Sequence, residues 1–297
     1  ATTASYNTCV GRDSLYSATG GGNTAMGRNA GQNISTGAHN SFFGYLAGGA
    51  SGGTVTGSYN TGVGHLACSM LNGSGHSNTG VGTEALRQLT TGTYNVAVGL
   101  SCTEYATTAH SNVAMGYRAL RNLTTGASNI ALGYQCMLSA TTANGNIALG
   151  YSALGGANVT GSGYNIVIGD AAGYDVTSGS NNIIIGWNAG RAGSQTPQSM
   201  GAIITASNEI QLGNESHSSA MVQVSWTVNS DSRDKTDIKD LDLGLDFINS
   251  LRPVTYRWDK RSKYNGQKRD GTHKENKLEV GLLAQEVIEA ENKANYN

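Results

Sequence analysis

An asparagine followed four residues later by a glycine recurs eleven times, at Asn7, Asn23, Asn40, Asn60, Asn78, Asn95, Asn112, Asn129, Asn146, Asn165 and Asn182. The steps run from 16 to 20 residues and most often equal 17. Nothing else in the chain restricts its fold so strongly, because a fixed period is the signature of a repeat architecture. Each unit opens with an alternating run such as Asn95-Val-Ala-Val-Gly99 or Asn129-Ile-Ala-Leu-Gly133. A second short apolar stretch follows, as in Glu84-Ala-Leu86, Arg118-Ala-Leu120 and Ser152-Ala-Leu154, and then Thr, Gly, Ser and Asn. Short period-2 runs separated by turn chemistry predict two small strands per unit. Seventeen residues are too few for a helix pair and suit one coil of a β-solenoid.

The glycine fits a corner with positive φ or close backbone approach. The asparagine tolerates left-handed geometry, and identical amides stacked coil on coil can build a hydrogen-bonded ladder. With a rise of about 4.8 Å per coil, eleven coils predict a shaft roughly 50 Å long. Ordering a coil is costly against the four or five small apolar side chains it offers, so burial between chains, three of them sharing one core, is expected.

Charge divides the chain in two. Of 39 charged side chains, 28 fall in the last 97 residues, and residues 1–200 contain no lysine. The border lies near Pro197. This predicts a repetitive shaft over 1–192, a distorted last coil with a connecting strand over 193–229, and a separate segment over 230–297. Asn208-Glu-Ile-Gln-Leu-Gly213 reads as the distorted coil, and Val222, Val224, Trp226 and Val228 as the strand. With 42 glycines and only 2 prolines the chain is not collagen-like. A net charge of −1 gives no bulk field toward nucleic acid, and no apolar run is long enough to insert in a membrane. The start at Ala1, without a leader pattern, suggests a fragment or processed product.

Candidate sites in the shaft are few. Cys102 and Cys136 occupy the slot held by Ala85, Ala119 and Ala153, so they read as small buried thiols, too far apart for a disulfide. The histidines are scattered, and neither a metal site nor a cofactor is expected. Five residues after the asparagine stand Arg12, Arg28, Tyr45, His65, Tyr117, Tyr134, Tyr151 and Trp187. The row Tyr117, Tyr134, Tyr151 is a candidate receptor contact, with a ladder joining coils as the alternative. Only Asp13, Glu84, Glu104, Asp170 and Asp175 supply carboxylates before residue 200. A glycosidase needs two facing one sugar. The sequence pairs none in equivalent or adjacent coils except Asp170 with Asp175, and those two read as loop residues.

Past Pro197, Ile238, Leu241, Leu245 and Ile248 predict a helix that Pro253 stops. Val254, Tyr256 and Trp258 predict a strand, as does Leu278 to Leu282, and Ala284 to Ala290 begin another helix.

The repeat over residues 7–190 resembles the Asn-Thr-Ala-Val-Gly units of phage tail fibres, and is similar to the coils in the heads of trimeric autotransporter adhesins. Three further motifs lie in order downstream: Ser230-Asp-Ser-Arg-Asp-Lys235, Leu251-Arg-Pro-Val-Thr-Tyr-Arg-Trp258 and Gly281-Leu-Leu-Ala-Gln-Glu-Val287. They resemble the endosialidase-type intramolecular chaperone, which guides trimer folding and then releases itself. The resemblance implies a mainly β fold, a trimeric β-solenoid or β-roll shaft followed by a small α+β chaperone segment that is incomplete at its C-terminal end. It implies Ser230 as nucleophile, Lys235 as its base and Ser230–Asp231 as the scissile bond. Asp234 stands where many members carry an apolar residue. A lysine acts as base only when its pKa, about 10.4 in water, is brought down. The five-residue separation does not put the pair on one helix face, so the chain bends Lys235 back or a neighbouring subunit supplies it.

The resemblance further implies a homotrimer in a virion tail fibre or spike, outside the cell. It implies contact with other tail or baseplate proteins and with a host surface glycan or protein receptor. The rival readings are a bacterial trimeric adhesin and a polysaccharide depolymerase spike. Turnover of an external substrate is not expected from the shaft.

Overall fold

The alternating run after each asparagine forms a strand, and all twelve such strands lie in one parallel sheet in chain order. In the computed structural model, which describes residues 5–49, 53–156, 163–191, 205–214, 244–257, 259, 271, 274 and 276–293, every shaft strand is three residues long. They are β1 (Thr8–Val10), β2 (Thr24–Met26), β3 (Ser41–Phe43), β4 (Thr61–Val63), β5 (Thr79–Val81), β6 (Val96–Val98), β7 (Val113–Met115), β8 (Ile130–Leu132), β9 (Ile147–Leu149), β10 (Ile166–Ile168), β11 (Ile183–Ile185) and β12 (Ile210–Leu212). The fold is mainly β, a solenoid of about 17-residue coils followed by a small region with a short antiparallel sheet and helices.

Register never slips: Ala97 faces Ala114, Ala114 faces Ala131 and Ala131 faces Ala148. These middle residues point inward and are fully buried, while their neighbours on either side point out. That is the period-2 geometry of a strand.

The second strand of each unit, expected from runs such as Glu84-Ala-Leu86, does not form. The backbone there alternates in hand, with φ of 61° at Glu84 and 51° at Leu86, and 55° and 51° at Arg118 and Leu120. A strand would send adjacent residues to opposite faces. Here Ala85 and Leu86 are both fully buried, as are Ala119 with Leu120 and Ala153 with Leu154. Inter-coil bonding continues through these turns, with Arg118 N–H donating to Leu100 C=O at 3.0 Å and Leu120 N–H to Cys136 C=O at 3.0 Å. The backbone is therefore satisfied on both sides of the coil.

The asparagines form the expected ladder. Asn112 Oδ1 accepts from the backbone N–H and the Nδ2 of Asn129, at 3.0 and 2.9 Å. Asn112 Nδ2 donates both to Asn95 Oδ1 (3.0 Å) and to Gly126 C=O (2.9 Å), fourteen residues on in its own coil. Each amide thus closes its coil and hooks it to the preceding one. The left-handed residue is not the asparagine but the one before it, for example Tyr94 (58°), Ser111 (57°) and Ser128 (58°). The last coil is shifted by one against the sequence reading. Asn208 takes the left-handed place (66°), and the backbone N–H of Glu209 donates to Asn182 Oδ1 at 2.9 Å. The repeat glycines meet both expected demands. At Gly116, φ is 132°, and a Cβ would lie 2.4 Å from the carbonyl oxygen of Gly133.

Core closure also departs from the expectation of one core shared among chains. Leu86, Leu89, Leu120, Leu123, Met137 and Leu154 are fully buried within the single chain. The reason is stacking: each coil covers the side chains of the next, and the amide ladder satisfies the polar groups between them.

The chain divides into two compact units, Ala1–Met221 and Val222–Asn297. In the second, α1 (Gly244–Ser250) ends before Pro253, β13 (Val254–Tyr256) pairs antiparallel with β14 (Glu279–Gly281), and α2 (Ala284–Lys293) follows. Leu245 and Ile248 of the expected helix lie in α1. Ile238, Leu241, Trp258 and the predicted strand from Val222 to Val228 lie outside the described residues.

Candidate functional site

Ser230, Asp231 and Lys235 lie outside the described residues. The two downstream motifs are described, and the fold brings them together. Val254 of the first faces Gly281 of the second across the sheet, and Tyr256 faces Glu279. Arg252 then reaches Glu286 through two bonds, Nε to Oε2 at 3.1 Å and Nη2 to Oε1 at 2.5 Å. This two-pronged geometry matches a planar guanidinium to a carboxylate. The contact raises the Arg252 pKa, first through the hydrogen bond and then through the charge of Glu286. Both side chains are exposed, so the pair sets orientation more than stability. Arg257 also donates to the carbonyl of Asn276.

On the shaft, Tyr117, Tyr134 and Tyr151 stack ring on ring. Their centroids are 5.0 and 4.9 Å apart, with interplanar angles of 24° and 2°. The Arg118 guanidinium lies 4.8 Å from the Tyr117 ring centre. The middle ring therefore has both faces occupied by its neighbours, and it presents only edge and hydroxyl outward. Other pairs repeat the device, His39 with Tyr59 and Tyr45 with His65.

Two carboxylates that the sequence reading kept apart do meet. Glu84 and Glu104 stand in adjacent coils, and Arg87 Nη1 lies 3.4 Å from each. Arg121 Nε holds the other oxygen of Glu104 at 2.8 Å, and Arg121 Nη2 donates to the Tyr105 hydroxyl at 2.9 Å. The Glu104 side chain is 3% exposed. A carboxylate enclosed by two guanidinium groups is an ion-pair lock between three coils and offers no acid–base pair to a sugar. The signal in the sequence was the step of 17 from Arg87 to Glu104 and again from Glu104 to Arg121. Asp170 and Asp175 both lie in the turn after β10, and Asp175 sits 4.0 Å from Arg191.

Cys102 and Cys136 are buried and free in the alanine slot, Cys68 is buried and free one place further on, where other coils carry Leu86 or Leu120, and Cys9 is exposed. Burial pushes all three enclosed thiols up to about 12, so they stay protonated and unreactive at neutral pH. Among the described residues no group of three His, Cys, Asp or Glu could hold a metal, and no helix is long and apolar enough to cross a membrane.

The described shaft residues thus build a closed β-solenoid with an amide spine. Residues 230–295 match the family model described as chaperone of endosialidase. Together the β-solenoid and this matched segment fit a tail-spike-type protein with an intramolecular chaperone. No curated protein and no solved structure matches it.

Proposed function

We propose that this chain is the shaft of a viral tail fibre or spike, assembled as a homotrimer for host attachment and folded under the guidance of its own C-terminal segment. The observation that carries the reading is the chaperone match over 230–295, following a twelve-stranded solenoid in the same chain. A phage tail location outside the cell, and partners among the other tail or baseplate proteins, belong to the same reading. The Tyr117–Tyr134–Tyr151 row would meet a glycan or protein receptor with hydroxyls and ring edges, since the stack occupies its faces.

Release is the chemical part of the proposal. The Ser230 hydroxyl is the nucleophile toward the Ser230–Asp231 carbonyl carbon, Lys235 takes its proton and returns one to the departing Asp231 amine, and water then hydrolyses the acyl ester to leave a free carboxylate on the shaft. Folding must come first, because only an assembled site holds hydroxyl, bond and neutral amine in reach. The test is the mass and N-terminal sequence of products from the full chain. A shaft ending at Ser230 and a fragment beginning at Asp231 are expected. Ser230→Ala and Lys235→Ala should leave assembled, uncut chains, and Lys235→Arg should not rescue cutting, because guanidinium stays protonated. Efficient scission in Ser230→Ala would remove the site assignment.

A further inference from the structure

Two columns of side chains point outward from the sheet, at the first and third residue of every strand. From Val96 and Val98 in β6 to Ile210 and Leu212 in β12, every member is Val, Ile, Leu or Met. From β1 to β5 the first column is instead Thr or Ser, as at Thr24 and Thr61, while the third stays apolar. Neither column contains a charge. Met115 is 50% exposed and Ile168 38% exposed, although both stand mid-row in a regular sheet. The core behind them is closed, so this aliphatic face is surplus to the folding of one chain.

We infer that this face is where copies of the chain join, parallel and in register, about an axis running alongside the solenoid. The inference rests on the trimeric reading above and assigns the surface that serves it. Three observations carry it. The aliphatic strip runs unbroken over seven strands with Val113, Met115, Ile166, Ile168 and Ile185 each more than a third exposed, a contiguous apolar face of the kind that marks an association surface. The strip offers no polar group to hold a sugar, which needs placed donors and acceptors. Its polarity also changes along its length. Parallel, in-register copies set aliphatic rows on aliphatic rows and hydroxyl rows on hydroxyl rows, whereas an antiparallel copy lays Ile210 against the threonine end.

The strip also explains why such a shaft needs a folding guide. Rows recur at a rise of about 4.8 Å, so a slip of one chain against another by a whole coil forfeits only one aliphatic row. A unit that binds the C-terminal ends together before the rows meet removes that ambiguity. The uninterrupted aliphatic end, β6 to β12, is the end followed in sequence by the residues that match the chaperone. Joining then proceeds from that end toward β1.

The experiment compares the full chain with two double variants by sedimentation equilibrium and circular dichroism. Val113→Lys with Ile166→Lys puts two charges on the strip. Thr125→Lys with Thr142→Lys puts the same charges on exposed turn positions of the same region. Three-chain mass is expected for the parent and the turn variant, and mainly single chains with an unchanged β spectrum for the strip variant. A strip variant that stays trimeric overturns the assigned face and leaves the trimer standing. A single-chain parent removes the trimer and the face with it. Should the lysine pair unfold the chain, Val113→Cys with Cys9→Ser decides, because the remaining native thiols are buried. Oxidation should link chains through Cys at position 113, and no link in an assembled trimer overturns the inference. Mixing Val113→Cys chains with Ile147→Cys chains tests register. Two coils separate those sites by about 10 Å, beyond disulfide reach, so 113-to-147 links would overturn the in-register arrangement.

Discussion

Leu120 in the shaft is fully buried, whereas Leu245 in the C-terminal unit is 77% exposed. The contrast is general. Coil after coil the shaft encloses inward side chains such as Leu86, Leu120, Met137 and Leu154, while Ile248, Leu278, Val280, Leu282, Leu283 and Ile288 of the second unit all face solvent, and Ala290 is its one enclosed apolar residue among those described. The first region completes its core within one chain. The described elements of the second carry the alternating and helical patterns of a folded domain while most of their apolar side chains stay exposed. The difference teaches a division of labour: the stacked coils hold their own apolar side chains, while the described elements of the second unit leave theirs uncovered.

The largest effect should come from separating the regions. Residues 1–221 alone should melt sharply, whereas residues 222–297 alone, at low micromolar concentration, should show no cooperative transition by calorimetry. A sharp transition in a monomeric 222–297 fragment would erase the contrast. Next is Gly116→Ala. A Cβ at φ 132° would press 2.4 Å from the Gly133 carbonyl, so a loss of about 4 kcal/mol is expected from strain and overlap together. Denaturant titration measures it, and a loss under about 1 kcal/mol would mean that the coils part easily.

Asn112→Ala should cost about 2–3 kcal/mol, because it strips the Gly126 carbonyl and the Asn129 amide of buried partners. The same measurement checks it, and the melt should stay two-state if the ladder is cooperative along the shaft. The smallest effect concerns the thiols. Cys102→Ala and Cys136→Ala should leave assembly unchanged at neutral pH. Their folded pKa values stand near 12 against an ordinary 9.0, so a chain that unfolds gives up thiol protons only above pH 9. Stability should thus be flat below pH 9 and fall between pH 9 and 12, and the double alanine variant should fall less. Equal alkaline slopes for parent and variant would show that other groups govern that range.

Much of this was legible in the amino-acid order. The recurrence from Asn7 to Asn182 gave the coil, the sheet and the amide spine, because a parallel register repeats whatever the sequence repeats. The second strand was misread because Glu84-Ala-Leu86 is a short apolar stretch set off by turn chemistry, too short for its period to tell strand from turn. The adjacent buried pair Ala85 and Leu86 was the clue to turns of alternating hand. Core closure was misjudged by costing one coil alone, whereas each coil is covered by its neighbours. The Glu104 lock escaped because its partners are near in space through the period and far in the chain. At Ser230 and Lys235 the motif order speaks, while their geometry depends on contacts that no local pattern contains.

The left-handed residue before each ladder asparagine has a consequence for how such a shaft can change length. Ser111 and Ser128 hold nearly the same φ, 57° and 58°, and each precedes an asparagine of the spine. Excising residues 112–128 would join Ser111 to Asn129 and replace one junction with its equivalent, keeping all columns aligned. Deleting a single residue inside a strand would instead turn every following side chain in that strand to the wrong face. Shaft length is therefore quantised, adjustable by whole coils of about 4.8 Å and intolerant of fractions of one.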